Sequence, residues 1–387
     1  MTLPASANLH RGLTIGIDAR AAVEAPAGRG RVVRELLRAL SARQEDDNRY
    51  LLYTRREWQA LEPDERFSWR ATAARDPLWH VLTARAANSE CDVFLSTNSY
   101  LTTWFLRIPA VPIVHDLIAF ESPMPAHRRS ALIERLTLGP TVRRSAAFVA
   151  VSQATADVLA RRYPPVAPRT FVAHLGVAKL DSGSLGTAEL EALPTPGFVL
   201  AVGTLEPRKN LPRLVEAYRS LDRRLQDEHP LAVVGALGWQ AGETLTALRS
   251  LGERAVLLGY VSDAALQYLY RRCGAFCFPS LGEGFGLPVL EAMAAGAPVI
   301  TSNVSSLPEV GGDAVELVDP RDTASIAAGL RRVLGDTRRQ EQLRRLGPAR
   351  ARTFSWDAFA ERVLETLQAA STRSYAPASR SAAAAVE

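Results

Sequence analysis

Residues 275–312 read AFCFPSLGEGFGLPVLEAMAAGAPVITSNVSSLPEVGG. Two runs, AFCFP and PVITS, are short and continuously apolar, as strands buried on both faces are. Between them Pro288 stands where a helix begins, and Gly296 follows the last periodic residue as a C-cap would. The stretch therefore reads as strand, glycine loop, helix, strand, the repeating unit of a parallel sheet. Its loop, SLGEGFGL, feeds a helix N-terminus, where Gly284 and Gly286 permit close approach of the backbone. First-turn N–H groups have no partner inside their own helix, and the helix dipole adds positive potential, so this end suits a phosphate. Glu283 lies in the loop and Glu291 about one turn into the helix. Singly, each is an ordinary complement to the dipole. Beside a phosphate, the two acids suit a ligand with hydroxyls next to its phosphates, such as a sugar nucleotide.

Upstream, FVLAVGTLEPRKNLPRLVEAY (198–218) carries a strand that delivers Gly203 and Thr204 to a loop with Arg208 and Lys209. Asn210 is placed to cap the helix that follows. Two adjacent cations at the carboxyl end of a strand are either solvated or, beside a phosphate site, able to neutralise a diphosphate, arginine by a fork and lysine as a point charge. LAVVG (231–235), VLLGY (256–260) and AFCFP complete a second sheet. Tyr260 and Val261 leave VLLGY, and Ser262 and Asp263 start the next helix.

The amino-terminal half repeats the alternation. TIGIDAR (14–20) is a buried strand leading into an amphipathic helix with Val32, Val33, Leu36, Leu37 and Leu40 on one face. Gly28 and Gly30 in that connection fit a simple strand-to-helix turn. YLLYTR, DVFLS, VPIVHD and AFVAVS follow as strands. His115 ends VPIVHD at the carboxyl edge where ligands bind in open α/β sheets, although a single histidine there is by default structural. Asp116 beside it either orients a loop or meets a second substrate. Ser152 caps the helix QATADVLARRY. Residues 127–145 read as a basic amphipathic pair of segments, either solvated with an apolar side in the core or lying on an anionic membrane. The organisation is α/β: a Rossmann-like domain over 1–178, a Gly/Ser/Thr/Pro-rich linker over 179–197, a second Rossmann-like domain over 198–353, a helix over 354–370 and a disordered Ala/Ser-rich tail over 371–387.

With 387 residues, 47% apolar and 22% charged, the chain has the composition of a soluble two-domain protein. The net charge of +5 is mostly arginine, and no interleaved aromatic platform for nucleic acid accompanies it. Three cysteines are too few for a disulfide framework, and Cys273 and Cys277 straddle a helix end and a strand, which argues against a metal site. MTLPASANLHRG lacks the apolar core of a signal peptide, and no apolar run approaches the ~20 residues of a membrane helix. A cytoplasmic location follows, with peripheral membrane contact as a possibility.

The ungapped string Glu283–Gly284–Phe285–Gly286–Leu287–Pro288 through Glu291–Ala292–Met293 resembles the donor-site segment of the GT-B retaining glycosyltransferases of family 4, in which two glutamates frame this loop. The G-T-x-x-P-R-K-N pattern of 203–210 resembles the same family, and the likeness spans about Ile15 to Leu367. It implies a GT-B fold, two Rossmann-like domains with parallel sheets facing across a cleft, and a C-terminal helix crossing back to the first domain. It further implies that His115 meets the donor sugar and that the loop with Gly28 and Gly30 closes over the donor pyrophosphate. Gly203, Thr204, Arg208 and Lys209 would hold the diphosphate, Tyr260 and Val261 the nucleobase. Glu283 would meet hydroxyls of the transferred sugar, Glu291 those of the ribose, and the amides of Phe285, Gly286 and Leu287 sugar and phosphate. Glu309 is expected to be structural.

The resemblance implies retention of configuration, with the acceptor attacking on the face the diphosphate leaves. No Asp-x-Asp pair stands in a metal-binding context, so neither a divalent cation nor another cofactor is expected. IDAR, VHDL and SLPEVGGDA are most similar to bacterial mannosyl- or rhamnosyl-type enzymes of surface polysaccharide synthesis. These imply GDP-mannose as donor and a saccharide or lipid-linked oligosaccharide as acceptor. Two alternatives are a sugar-nucleotide epimerase of GT-B type and a non-catalytic sugar-nucleotide-binding protein.

Overall fold

The structure, a computed structural model, describes residues 12–25, 28–44, 46–61, 64–121, 128–177, 185–186, 190–191 and 193–372. Most of the expected linker and residues 373–387 of the expected tail lie outside them.

The strands β1 (Thr14–Asp18), β2 (Arg49–Thr54), β3 (Phe67–Ala71), β4 (Val93–Ser96), β5 (Ala110–Val114), β6 (Phe148–Ala150) and β7 (Thr170–Val172) form one parallel sheet in the order β3-β2-β1-β4-β5-β6-β7. With them run the helices α1 (Arg20–Glu24), α2 (Arg29–Ser41), α3 (Leu78–Glu90), α4 (Arg128–Arg144) and α5 (Gln153–Arg162). A second parallel sheet contains β8 (Val199–Val202), β9 (Leu231–Val234), β10 (Ala255–Gly259), β11 (Ala275–Phe278), β12 (Val299–Ser302) and β13 (Glu316–Val318), in the order β10-β9-β8-β11-β12-β13. This is the α/β, GT-B-type arrangement of two Rossmann-like sheets. The central strands β4, β5, β9, β11 and β12 are buried along their whole length, which is why their sequences read as unbroken apolar runs.

Strand order reverses between β1 and β4 in the first sheet and between β8 and β11 in the second. Open α/β sheets bind ligands outside the carboxyl ends of the strands at such switch points. His115 follows β5 in the first sheet; in the second, Arg208 and Lys209 follow β8, and Glu283 follows β11.

The helix Trp356–Thr372 packs across β4–β7 and against α2, burying Phe359, Val363 and Leu367. Each such side chain contributes up to about 1.5–3 kcal/mol relative to exposure. The largest apolar cluster joins both sheets, running from Ile15 and Val33 through Phe285 and Val289 to Phe354 and Phe359.

Two local expectations need correction. Residues 128–144 form one helix with Pro140 inside it, not a pair of segments. Asn210 occupies the N-cap position of the helix Leu211–Arg219, yet its side chain caps no amide there. Its Nδ2 instead donates to the carbonyls of Pro279 and Pro320, at 3.0 and 2.7 Å, tying the Arg208–Lys209 loop to the ends of β11 and β13. Asn210 sits in the left-handed region, φ +60°, which asparagine tolerates. The strands β3, β7 and β13 were not anticipated. β3 is a half-exposed edge strand without an apolar run, and β13 has only three residues.

Candidate active site

Gly286, at φ +107°, turns the loop after β11 into the helix Leu287–Ala294, with Pro288 in the first turn. Just before it, the Glu283 carboxylate is nearly saturated. Its Oε1 accepts from Lys209 Nζ at 2.7 Å and from Ser280 Oγ at 2.5 Å, and its Oε2 lies 2.5 Å from Arg208 Nη1. Of about four acceptor positions on a carboxylate, this leaves about one for an incoming hydroxyl. Burial disfavours the charge, but the two cations and the serine outweigh it and hold Glu283 at about 2. So firmly paired a carboxylate is poorly suited to act as a nucleophile. Arg208 also donates to Gly282 O at 2.9 Å and Glu206 Oε1 at 2.6 Å, and Lys209 Nζ sits 4.6 Å from the centre of the Phe278 ring. Gly203, at φ +144°, brings its backbone against the Lys209 stem, where a Cβ would lie 3.1 Å from Cε.

Glu291 is buried one turn into the helix and is met from the first domain by Arg31. Arg31 also reaches Asp263 at 3.2 Å, and Tyr270 Oη donates to Glu291 Oε2 at 3.4 Å. Burial pushes the Glu291 pKa up, only partly offset by Arg31.

On the facing wall, His115 Nε2 lies 2.7 Å from the carbonyl of Thr97. A carbonyl only accepts, so Nε2 carries the proton. Burial, with Arg29 nearby, lowers the imidazole to about 4. The neutral ring therefore keeps Nδ1 as an acceptor for a hydroxyl. Arg29 Nη2 stands 3.8 Å from Asp116 Oδ2. Close by, burial and the charge of Asp116 raise Glu134 to about 7.

The two walls touch at Gly284, where a Cβ would fall 1.6 Å from His115 O. Beside this contact a cavity of about 240 Å³ opens between the domains, lined by Asp116, Glu121, Thr155, Asp157, Glu283 and Ser305 among others.

The structure thus gathers His115, Arg208, Lys209, Glu283 and Glu291 at the facing sheet ends. Gly28 and Gly30 shape the turn into α2. Gly30 packs onto the backbone, with its would-be Cβ 1.8 Å from Ala25 O, and Gly28 supplies the positive φ before α2. From this connection it is the Arg31 side chain that crosses to the second domain. Phe285 points its ring into the interdomain core against His174 and Phe354, leaving only its backbone for a ligand. Tyr260 is 74% exposed beyond β10, Val261 is half-buried, and Thr204 is exposed beyond β8. Sequence reasoning missed Arg31, Asp263, Ser280 and Ser305 as neighbours of the acids. Residue type alone does not distinguish them from surface residues. Among the described residues no group of three or more His, Cys, Asp or Glu is arranged around a common metal position.

Residues 26–178 match the family described as "Glycosyltransferase Family 4", and residues 188–350 match "Glycosyl transferases group 1". The chain is 33% identical over 273 residues to O-antigen chain mannosyltransferase B of Escherichia coli, covering 68% of this chain and 71% of that protein. To a serotype-specific mannosyltransferase of the same species it is 36% identical over 163 residues, covering 41% of this chain and 20% of that one. Among solved structures, sucrose-phosphate synthase from Thermosynechococcus elongatus superposes with a TM-score of 0.71 at 21% identity, over 92% of this chain and 98% of that one. Anabaena HepE in complex with UDP-glucose gives 0.72 at 18%, over 92% and 99%. With both halves and the fold in agreement, this chain is a glycosyltransferase of family 4 with the GT-B fold.

Proposed function

We propose that this enzyme transfers mannose from GDP-mannose, with retention of configuration, to a saccharide or lipid-linked oligosaccharide during surface polysaccharide synthesis. The observation that carries this reading is the partly buried constellation of Lys209 and Arg208 on Glu283 at the ends of β8 and β11, one helix turn from the buried Glu291. The similarity to an O-antigen mannosyltransferase over 71% of that protein supports mannose as the sugar.

In this reading Glu291 accepts from the ribose hydroxyls, and the exposed Tyr260 ring and the backbone at Val261 hold the base. Glu283 and His115 Nδ1 accept from hydroxyls of the transferred hexose. Gly203, Thr204, Arg208, Lys209 and the amides of Gly286 and Leu287 surround the diphosphate. As the glycosidic bond breaks, charge grows on the leaving phosphate, and these fixed cations and dipoles stabilise it without reorganising. No divalent ion or other cofactor is required. The acceptor hydroxyl attacks from the face the diphosphate leaves and passes its proton to a phosphate oxygen. The interdomain cavity holds the acceptor, and its carboxylates suit a hydroxyl-rich, uncharged saccharide.

Among the described residues no helix is long and apolar enough to cross a membrane. The face of α4 with Leu132, Ile133 and Leu136, each more than half exposed, and Arg143 exposed at its end, fits peripheral contact with an anionic bilayer. That contact would bring a lipid-linked acceptor to the cleft.

The test incubates the purified protein, in chelator, with GDP-mannose or UDP-glucose and mannose-terminated oligosaccharides. An elongated product from GDP-mannose, α-linked by its anomeric NMR coupling, is expected. Turnover of UDP-glucose alone, an inverted linkage, or loss of activity in chelator would overturn the corresponding part of the reading. Sedimentation with phosphatidylglycerol vesicles checks the membrane contact, which Leu132→Asp with Leu136→Asp should abolish.

A further inference from the structure

Four side chains around α5 belong to neither the diphosphate site nor the expected donor contacts. Ser152 is the N-cap of α5, and its Oγ accepts from Thr155 N at 3.0 Å. The same hydroxyl donates across the cleft to the carbonyl of Gly284, at 2.6 Å, and Thr155 Oγ1 donates to that carbonyl at 3.1 Å. Both residues are buried. From the opposite side comes Glu309, in the helix Leu307–Gly311 of the second domain. Its two carboxylate oxygens accept from the first amides of α5, Gln153 N at 2.7 Å and Ala154 N at 3.1 Å. His174, just beyond β7, adds a contact of 2.6 Å from Nε2 to Glu309 Oε1, and Arg350 Nη2 holds the Glu309 carbonyl at 2.6 Å. The bonding is reciprocal: first-domain hydroxyls grip a second-domain carbonyl, and a second-domain carboxylate completes the cap of a first-domain helix, where its charge meets the positive end of the dipole.

We propose that Ser152, Thr155 and Glu309 are positioning residues for the transfer step, forming a clasp that closes the cleft and sets Glu283 against His115. The proposal rests on the reading of this cleft as the donor site. The residue gripped is Gly284, next in sequence to Glu283, and it is pressed against the backbone of His115. Holding its carbonyl fixes how the sugar-facing carboxylate of one domain stands to the sugar-facing imidazole of the other. With the clasp open, the N–H groups of α5 and the Gly284 carbonyl turn to water, and the two walls separate. Arg208, Lys209 and Glu291 all belong to the second domain, so a nucleotide still finds its principal contacts there. The clasp therefore acts on the chemical step and leaves nucleotide binding largely unaffected.

The test compares the full-length protein with a Ser152→Ala, Thr155→Val double variant and, separately, with Glu309→Gln. Thr155→Ser serves as the conservative control that keeps the hydroxyl. Three quantities are measured: the Kd of GDP and of UDP by calorimetry, kcat and KM for transfer, and the radius of gyration in solution with saturating nucleotide. Misplacing reacting groups by an ångström costs on the order of a hundredfold in rate, so kcat should fall roughly ten- to a hundredfold while the nucleotide Kd moves by less than about threefold. The radius of gyration should rise in both altered proteins, and Thr155→Ser should stay near wild type in every readout. Unchanged kcat and radius of gyration in both variants would overturn the clasp. So would a parallel fall of kcat, nucleotide affinity and Tm, which would make these residues merely structural. Failure of the wild-type protein to bind either nucleotide would refute the donor-site reading instead. Scattering of the nucleotide-free proteins would then decide the clasp, equal radii counting against it.

Discussion

Arg31, on the first helical turn of α2, is ion-paired with Glu291, on the second domain, although 260 positions separate them in the chain. Both are largely buried, their side chains 18% and 5% exposed. The carboxylate assigned to the ribose is therefore already engaged by a cation from across the cleft. On the proposed ribose role of Glu291, a nucleotide would share or displace that partner, which would couple donor entry to the relation between the domains.

Removing one member of such a pair leaves the other charge buried and uncompensated, at a cost of about 3–5 kcal/mol. Arg31→Ala is expected to lower the Tm markedly. Adding Glu291→Gln should recover most of that loss, because the neutral amide no longer needs the guanidinium. A thermal-unfolding double-mutant cycle checks this; strictly additive effects would show that the pair is not coupled.

Lys209 and Arg208 are held on Glu283 before any donor arrives. Lys209→Ala should lower kcat roughly a hundredfold or more, a few kcal/mol of lost charge stabilisation, with a much smaller effect on KM. Steady-state kinetics decides it, and a kcat within a factor of about three of wild type would remove Lys209 from the diphosphate role.

Gly284→Ala places a methyl where His115 O already lies, 1.6 Å from the new carbon, so the backbone must move. Transfer activity should be nearly abolished, while GDP still binds through Arg208, Lys209 and Glu291. Calorimetry beside a turnover assay separates the two outcomes. A fully active Gly284→Ala protein would mean that this contact does not exist in the working enzyme.

Acid should destabilise the fold in two separate windows. His80 is pushed down to about 4, first by burial and then by the nearby Arg20, and His115 to about 4, first by burial and then by Arg29. A histidine lowered in the folded state binds fewer protons there than in the unfolded chain between about 4 and its ordinary 6.5. The stability lent by the two histidines should therefore fall as pH drops through that range, opposed by Glu134, whose raised value of about 7 lends stability as pH falls below it. The histidine part should be smaller in His80→Gln, and the net fall steeper in Glu134→Gln. Below it, Glu283 and Glu309 act. Their folded pKa values lie beneath the ordinary carboxylate value of 4.5, so the stability they lend is complete above 4.5 and is lost as pH falls through the lowered values. Urea denaturation across pH 2–8 measures both slopes.

Much of this architecture was legible in residues 275–312 and 198–218 because the signals there are local. Unbroken apolar runs mark strands buried on both faces, and Pro288, Gly286 and Gly296 punctuate one helix by backbone geometry alone. The edge strand β3 and the three-residue β13 escaped notice because a half-exposed or very short strand leaves no apolar run. Asn210 misled for a related reason. Its residue type favours capping, but its side chain is claimed by two carbonyls far along the chain.

The sequence by itself determined the alternating α/β fold, the glycine loop at a helix N-terminus, the paired glutamates and the adjacent Arg208 and Lys209, since each follows from short-range periodicity and residue chemistry. Only the tertiary structure decided which carboxylate meets which partner: Glu283 on Arg208 and Lys209, Glu291 on Arg31, and Glu309 on the amides of α5. Those pairings join residues far apart in the chain: the first lies between neighbouring strands of one sheet, and the other two exist because the two sheets dock with their carboxyl ends facing. No local pattern of charge or hydrophobicity encodes the geometry of that docking.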